Sequence, residues 1–457
     1  MDNNEKIIIN VDDGENEVIN ASEKTEHSHS SGSHHHSHHH SHGHHHHSSK
    51  KRSKNHKKEK AKHFFKRYKY RISNILIALL FIGILVIVGV SLDGKSNSDF
   101  ESSGGKNDVI LQTNSTLNIK IPFFDEDVVI AGTAVQVYME SEDDDAFDVY
   151  KDYAAMGRLD VGLPVTLSYE VTGIPGGYSV KSADVFVSEN ENMTPSVCYP
   201  FDENETSVDV YHLKVNTQYY YRITLEISNG SKTSVAGSFK TADTPRILSV
   251  DGVYNLRDIG NWKTADGKVI KQGLLYRSAE LDGAVESKYT ITPDGVNTML
   301  TVLGIRTDMD LRYSSDNKNG TNALGAGVKH VYYGAPMYDG AFTSEGKAAI
   351  RKIFADLANK NNYPVLMHCT HGMDRTGTVC YLLEAILGVS EKDLMKEYQL
   401  SSFCHGEMWG LSKMNEFVGR LKSYDGVTIQ EKAVNYLLST GVTSAEIANI
   451  REIFLGK

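Results

Sequence analysis

The sequence predicts a multidomain chain in which a transmembrane helix is followed by an all-β sandwich and then by an α/β domain. Three observations predict this fold class. A run of 21 residues from Ile72 to Leu92 carries no charge. Residues from about 107 to 243 alternate apolar and polar side chains, with turn residues between the alternating segments. From residue 247 onward, helical and strand patterns follow one another, which is typical of a layered α/β sheet.

The net charge of −10 conceals two oppositely charged parts of the chain. Residues 1–92 carry 14 Lys and Arg against 9 Asp and Glu, so the remaining residues carry 34 against 49. This acidic body argues against nucleic acid as a partner. The four cysteines show neither the spacing of a metal site nor that of a dense disulfide framework.

Residues 1–71 are predicted to form a disordered cytoplasmic tail that is first His-rich and then basic. Thirteen of the 20 histidines lie between His27 and His47, interleaved with serine. Such a segment cannot bury a core. It is interpreted either as a solvated polar tail or as a weak binder of zinc, nickel or copper, and composition leaves both open. Residues 50–71 add twelve Lys or Arg, opposed by one acidic residue.

The uncharged run at residues 72–92 is predicted to be a membrane anchor. At about 1.5 Å per residue it spans roughly 30 Å, the thickness of the hydrocarbon core. A cleaved signal peptide is the alternative, but the run begins too deep and lacks a small-residue exit site. Because basic flanks stay in the cytoplasm, we expect a single-pass cell-membrane protein with its C-terminal domain outside. Residues 93–106 read as a polar stalk.

Residues 107–244 are predicted to form one β-sandwich domain. The clearest strand segments are Val165–Val171, Ala183–Val187 and Tyr219–Ile227. Asn229 and Gly230 are typical of a hairpin turn. The segment LKVNTQYYY, which begins at Leu213, resembles the corner of fibronectin type III domains, in which a tyrosine hydroxyl bonds back to the chain. The resemblance implies a seven-stranded spacer or binding module.

The most informative segment is HCTHGMDRTG, residues 368–377, called here the cradle loop. An apolar strand pattern precedes it and a helical pattern follows it. Backbone N–H groups of a tight loop and a helix N-terminus converge on an anion. Arg375 can bind two phosphate oxygens with its planar guanidinium, and Gly372 lets the backbone come close. The same field stabilises a thiolate, which makes Cys369 the predicted nucleophile rather than a structural cysteine.

The cradle loop resembles HCxxGKDRTG, the signature of the bacterial-type cysteine-dependent tyrosine phosphatase family. NLRDIGN from Asn255, GLLYRS from Gly273 and LGIRTDMDLR from Leu303 resemble further motifs of that family in the same order. The resemblance covers residues 247–457 and implies an α/β cysteine-phosphatase domain. Met373 stands where many members carry lysine, and members with lysine often accept phosphoinositides, so its presence argues against lipid substrates. The substrate-binding residues expected in the loop are Thr370, His371, Gly372, Met373, Thr376 and Gly377.

Two aspartates are candidates for the general acid that protonates the leaving oxygen. Asp339 follows a predicted strand, on the kind of upstream loop that often carries the acid of cysteine phosphatases. Asp374 lies in the cradle loop and resembles an Asp proposed as the acid in this family, and the sequence favours neither. Among the supporting residues, Asp310 and Arg312 are expected to form a buried ion pair. The residues expected to brace the loop are Arg257, Asp258, Arg277 and His368.

These features predict a membrane-anchored phosphatase that hydrolyses phosphotyrosine or related phosphomonoesters through a cysteinyl-phosphate intermediate, without a metal or other cofactor. The expected partners are a phosphotyrosine protein or small phosphomonoester and the membrane. One alternative is a phosphoinositide or inositol-phosphate phosphatase. The other is a catalytically inactive surface binding protein.

Overall fold

A computed structural model of the protein describes residues 111–112, 117–141, 146–202, 204–316, 322–406 and 410–456. All of them fall within residues 104–457, which form one unit by their contacts. The strands are β1 (Leu111–Gln112), β2 (Asn118–Lys120), β3 (Val165–Ser168), β4 (Glu170–Thr172), β5 (Val180–Ser188), β6 (Val197–Pro200), β7 (Ser207–Val210), β8 (Gln218–Ile227), β9 (Lys232–Lys240), β10 (Arg246–Ile247), β11 (Arg257–Asp258), β12 (Leu275–Ser278), β13 (Thr307–Asp310), β14 (Lys329–Tyr332) and β15 (Val365–His368). The α-helices are α1 (Thr133–Glu140), α2 (Ala146–Tyr153), α3 (Pro293–Asn297), α4 (Ser344–Leu357), α5 (Asp374–Leu387), α6 (Glu391–Gln399), α7 (Ser402–His405), α8 (Leu411–Leu421), α9 (Ile429–Ser439) and α10 (Ser444–Leu455).

The upstream region, up to residue 244, contains three antiparallel sheets in its described part. Their strand orders are β1-β2-β4, β3-β7 and β6-β5-β8-β9. The alternation along β8 places Tyr219, Tyr221, Ile223 and Leu225 in a shared apolar core, as its period-2 pattern predicts. The β8–β9 hairpin turns at Asn229-Gly230, where Gly230 has a φ of 85°. Lys214 N donates to the Tyr219 hydroxyl at 2.8 Å, so a tyrosine does bond back to the chain, while the fibronectin type III assignment stays a prediction.

The upstream region also contains two helices that the prediction of an all-β unit missed. Helices α1 and α2 lie between β2 and β3. Their apolar residues Ala134, Val135, Tyr138 and Ala146 belong to the core of the C-terminal domain, not to that of the β-sheets. The upstream region is therefore packed into the C-terminal domain.

The C-terminal domain is built on a six-stranded sheet of order β10-β11-β12-β15-β13-β14. Strands β12, β15, β13 and β14 are parallel to one another. At one edge, β11 pairs antiparallel with β12 and β10 pairs antiparallel with β11. All four residues of β15 are buried, as its continuous apolar run predicts. Helix α5 follows directly, and every residue from Thr376 to Leu387 in it is buried. The cradle loop thus lies at the carboxyl end of an interior strand, where ligands bind in α/β folds.

Among the residues that the structure describes, no helix is both long and apolar enough to cross a bilayer. This finding corrects the predicted fold class, which included a transmembrane helix, and the predicted single-pass membrane localisation that depended on it. The predicted anchor at residues 72–92 lies outside the described residues, as do the tail at residues 1–71 and the stalk at residues 93–106.

Candidate active site

The cradle loop connects β15 to α5. Cys369, the predicted nucleophile, is only 3 % exposed and lies in the core cluster of the domain. Strand β15 pairs with β12 on one side and β13 on the other, so the start of the loop is held between two strands. The chain therefore presents the thiol from a rigid position.

Two successive peptide carbonyls of the loop are held by donors from outside it. Glu280 N donates to Thr370 O at 3.0 Å. The next carbonyl, of His371, accepts from Asn255 Nδ2 at 3.0 Å and lies 2.8 Å from His405 Nε2. Because a carbonyl oxygen can only accept, His405 carries its proton on Nε2. Both carbonyls are thus directed away from the interior of the loop.

The His405 imidazole is neutral in this arrangement. Burial lowers its pKa to about 4, although the bond to the His371 carbonyl acts in the opposite direction. Its Nδ1 lies 3.2 Å from the Tyr289 hydroxyl, which can donate to it. A neutral ring with one donor and one acceptor therefore bridges helix α7 and the loop.

A third carbonyl, of Gly372, accepts from Arg277 Nη2 at 2.7 Å. In a trans peptide the C=O of one residue and the N–H of the next point in opposite directions. Three outward carbonyls therefore aim the N–H groups of the following residues inward. Within the described residues, no acceptor binds the backbone N–H groups from Gly372 to Thr376. With the N-terminus of α5, they form a concave set of donors suited to an anion.

Gly372 is required at its position for two reasons. Its φ of 66° lies in the left-handed region that favours glycine. A Cβ atom there would also lie 2.2 Å from the backbone oxygen of Ser278 in β12. The loop can approach the neighbouring strand only because this residue lacks a side chain.

Two buried arginines hold the loop to helix α6. Arg277 Nη1 donates to Glu397 Oε2 at 2.6 Å, and Arg257 Nε donates to Glu397 Oε1 at 2.7 Å. Burial would raise the pKa of Glu397, but the two guanidinium groups outweigh it and lower the pKa. The prediction that Arg277 braces the loop is confirmed by its bond to Gly372 O. Asp258 instead pairs with Arg246 at 2.7 Å, away from the loop.

The predicted ion pair of Asp310 and Arg312 is confirmed, and it belongs to a larger group. Arg312 Nη2 lies 2.7 Å from Asp310 Oδ2, and its Nη1 lies 2.6 Å from Glu280 Oε2. Arg312 is 1 % exposed. Because the backbone of Glu280 binds Thr370 O, this group supports the same loop from β13.

His368, the last residue of β15, is a buried charged residue. Its Nε2 lies 2.9 Å from Asp308 Oδ1, and Asp308 Oδ2 lies 2.8 Å from His330 Nδ1. Burial opposes protonation of His368, yet the carboxylates of Asp308 and Asp310 outweigh it and raise its pKa to about 10. Its Nδ1 lies 3.4 Å from the Cys369 carbonyl oxygen, so this buried pair adjoins the start of the loop.

Arg375, the predicted phosphate-binding residue, forms an ion pair with Asp316. Its Nη1 lies 3.2 Å from Asp316 Oδ2, and its guanidinium carbon lies 5.6 Å from the centre of the Tyr313 ring. The two charged side chains are 20 % and 30 % exposed. In this structure the Asp316 carboxylate therefore accepts from an Arg375 N–H group that could instead donate to a phosphate oxygen.

The two candidate acids lie in different surroundings. The Tyr338 hydroxyl donates to Asp374 Oδ1 and lies 2.7 Å from the Tyr398 hydroxyl. Asp374 is the first residue of α5, beside the cradle N–H groups. Asp339 is 52 % exposed and lies 3.6 Å from Arg420. The structure thus brings Asp374 to the loop and places Asp339 in a surface ion pair.

Three other loop residues that were predicted to bind substrate are buried inside the protein. Thr376 is fully buried, and its Oγ1 has no hydrogen-bond partner within the described part of the chain. Met373 is 3 % exposed and Gly377 is buried, with the Tyr398 ring beside it. His371 differs, since its side chain is 28 % exposed and its Nε2 lies 3.9 Å from Glu286.

The sequence analysis missed the residues that orient the loop from distant parts of the chain. The main ones are Asn255, Glu280, Tyr338, Glu397 and His405. The one available signal was that buried arginines require carboxylates. That rule does not say which of the chain's acidic residues supply them.

Residues 248–456, under half of the 457-residue chain, match the model of the tyrosine phosphatase family. A protein of Cupriavidus necator that is named as a tyrosine-protein phosphatase is 25% identical over 177 residues, which cover 33% of this chain. The match spans 61% of the length of that relative.

Two solved structures are also similar in part. One is the core catalytic domain of the PP-IP phosphatase Siw14 from S. cerevisiae in complex with citrate, at 19% identity, with 37% of this chain and 93% of that chain covered. The other is the Siw14 catalytic core, at 16% identity, with 42% and 95% covered. The TM-score is 0.25 for both.

Proposed function

We propose that this chain, whose residues 248–456 belong to the tyrosine phosphatase family, is a cysteine-dependent phosphomonoesterase that acts on phosphotyrosine or related phosphate esters. The observation that carries the proposal is the orientation of the cradle loop. Outward carbonyls and the N-terminus of α5 leave the N–H groups from Gly372 to Thr376, beside a buried cysteine, without an acceptor among the described residues. Preorganised donors of this kind stabilise the charge that develops on a phosphoryl group during transfer.

The reaction would proceed in two steps. In the first, the Cys369 thiolate attacks phosphorus, an S–P bond forms, and the bond from phosphorus to the ester oxygen breaks. In the second, water attacks phosphorus, the S–P bond breaks and one water proton returns to the general acid, which releases inorganic phosphate and the thiolate. The Thr376 hydroxyl, which has no hydrogen-bond partner within the described part of the chain, is suited to stabilise the sulfur as a leaving group.

Asp374 is the proposed general acid, which protonates the leaving oxygen in the first step. It adjoins the loop, and Tyr338 holds one of its oxygens, which fixes the position of the carboxyl group. Asp339 is less suited because it is half exposed and faces Arg420. Arg375 would exchange Asp316 for phosphate oxygens when substrate binds, since its planar guanidinium donates to one Asp316 oxygen here and can donate to two oxygens of a phosphate.

Phosphotyrosine is the preferred substrate class in this proposal. Position 373 carries a buried methionine instead of a lysine, so the loop offers no added cation for a second phosphate group. An aryl phosphate ester, with one phosphate and a good leaving group, fits such a site.

The test is turnover of p-nitrophenyl phosphate and of a phosphotyrosine peptide by the full chain. Cys369→Ser should abolish turnover and retain vanadate binding, because only the reactivity of the sulfur is lost. Trapping with acid during turnover should yield a phosphorylated wild-type chain and an unphosphorylated Cys369→Ser chain. Turnover by Cys369→Ser within a few-fold of the wild type would refute the proposal.

A further inference from the structure

The region upstream of the phosphatase-family match is packed against the helices that support the cradle loop. The Tyr138 ring of α1 contacts the Phe403 ring of α7, with centroids 5.7 Å apart. Ala146 N, at the start of α2, donates to Gln399 Oε1 of α6 at 3.2 Å. Lys396 Nζ donates to Met139 O at 2.9 Å. These contacts place the upstream chain on the elements that carry Glu397 and His405.

One buried carboxylate of the upstream region continues this contact toward the active site. Asp160 is 4 % exposed, and its Oδ2 accepts from Asn255 N at 2.7 Å. Arg158 Nε donates to Asp160 Oδ1 at 2.9 Å, and Arg158 Nη2 donates to Val253 O at 2.7 Å. The Arg158 guanidinium also lies over the Tyr254 ring, 3.9 Å from its centre. Arg158 and Asp160 together therefore hold residues 253–255.

Asn255 connects this pair to the cradle loop. Its Nδ2 donates to His371 O at 3.0 Å, and its Oδ1 accepts from Arg257 Nη1 at 2.5 Å. Its φ of 53° is left-handed, a conformation that asparagine adopts more readily than most other non-glycine residues. The Asp160 carboxylate holds the residue in this conformation, because it accepts from the backbone N–H of the same residue.

We propose that Asp160 is a positioning residue for the phosphatase site, so that the upstream region contributes to the catalytic domain. Asp160 fixes the backbone of Asn255, whose side chain then holds the His371 carbonyl outward and the Gly372 N–H inward. The inference rests on the proposed function, because its assay measures phosphatase activity. It goes beyond that function in assigning a role in catalysis to a residue that lies 88 positions before the family match (248 − 160).

A structural role alone would give a different result from a positioning role. If Asp160 only stabilised the interface, its removal would lower stability and leave the turnover of the folded protein unchanged. If it acts through Asn255, its removal weakens anion binding and turnover, and the loss disappears once the Asn255 side chain is already absent.

The experiment uses four variants of the full chain: Asp160→Ala, Asn255→Ala, the double variant, and Gln272→Ala as a matched control. Gln272 also joins the two regions, since its Nε2 donates to Val215 O at 2.9 Å and its Oε1 accepts from Val215 N at 3.0 Å. It makes no contact with the cradle loop among the interactions of the described residues. The measurements are kcat/KM on p-nitrophenyl phosphate, the inhibition constant of vanadate, and the melting temperature.

Asp160→Ala should lower kcat/KM by roughly 10- to 100-fold, as small displacements of a reacting geometry do, and weaken vanadate inhibition. The double variant should be no less active than Asn255→Ala. Gln272→Ala should have a lower melting temperature than the wild type and an unchanged kcat/KM. Wild-type kcat/KM in folded Asp160→Ala, or fully additive losses in the double variant, would overturn the proposal.

Asp160→Asn covers the case in which Asp160→Ala does not fold. The amide keeps the shape and one acceptor oxygen but not the charge, and charge-assisted hydrogen bonds are about twice as strong as neutral ones. We expect a smaller loss than in Asp160→Ala, with weakened vanadate inhibition, and an unchanged inhibition constant would count against the role. A wild-type chain without turnover would instead contradict the proposed function itself.

Discussion

Replacing Arg277 by methionine tests how the cradle loop is held. The side chain is fully buried, so the substitution removes a donor to Gly372 O at 2.7 Å and one to Glu397 at 2.6 Å. An unpaired buried carbonyl costs about 1–3 kcal/mol, and a lost hydrogen bond to a charged group about 1.5–3 kcal/mol. Because Arg257 still neutralises Glu397, no isolated buried charge remains. We expect a loss of about 3 kcal/mol, near the lower end of the range for a broken buried pair.

The matched substitution Glu397→Gln should be more destabilising than Arg277→Met. It removes the carboxylate that Arg257 and Arg277 share. Burial raises the pKa of the neighbouring Glu384 well above its ordinary value, and this burial remains in the variant. The two buried guanidinium groups would then lose their shared counter-charge.

Urea unfolding of both variants at pH 7, followed by tryptophan fluorescence, measures the two losses. Vanadate inhibition measures how well the loop still binds an anion, and it should weaken in both variants. A smaller loss of stability in Glu397→Gln than in Arg277→Met would show that the charge balance is not what holds this cluster. Unweakened vanadate inhibition in folded Arg277→Met would refute the role of Arg277 in orienting the Gly372 peptide.

Three further predictions concern the charges around the loop. Asp374→Asn should slow phenyl phosphates with poor leaving groups by about 10²- to 10⁴-fold and those with good ones far less. Asp339→Asn should change neither, and a leaving-group-dependent loss in that variant would move the acid to Asp339. Asp316→Asn should lower the inhibition constant of inorganic phosphate by roughly two- to fivefold. An exposed ion pair is worth about 0.2–1 kcal/mol, and the substitution releases Arg375 from its pair with Asp316. A higher inhibition constant would contradict competition between the Asp316 carboxylate and phosphate. His368 contributes stability that is fully present below its ordinary pKa of about 6.5 and is lost as the pH rises toward its raised pKa of about 10. The melting temperature of the wild type should therefore fall between these two pH values. The melting temperature of His368→Asn should fall less.

The sequence alone predicted those features that depend on neighbouring residues. The apolar run before Cys369, the glycine at position 372 and the helical pattern after Arg375 are contiguous, and each has a local physical cause. The strand–loop–helix unit, the alternation along β8 and the buried pair of Asp310 and Arg312 were therefore predicted correctly.

The uncharged run at residues 72–92 was read by the same local rules, and the fold class and localisation drawn from it had to be corrected. The two helices α1 and α2 were missed because their apolar residues pack on the C-terminal domain, which lies further along the chain. The alternation of apolar and polar residues within the upstream segment does not indicate that they pack on another domain.

Only the tertiary structure decided how the cradle loop is oriented. The donors that turn its carbonyls outward come from residues 255, 277, 280 and 405. Asp160 in turn holds Asn255, and Glu397 holds Arg277. A backbone carbonyl can accept from any donor within reach, so the sequence contains no pattern that assigns one donor to it. The surroundings of Asp339 and Asp374 are of the same kind, because their partners, Arg420 and Tyr338, come from other parts of the chain.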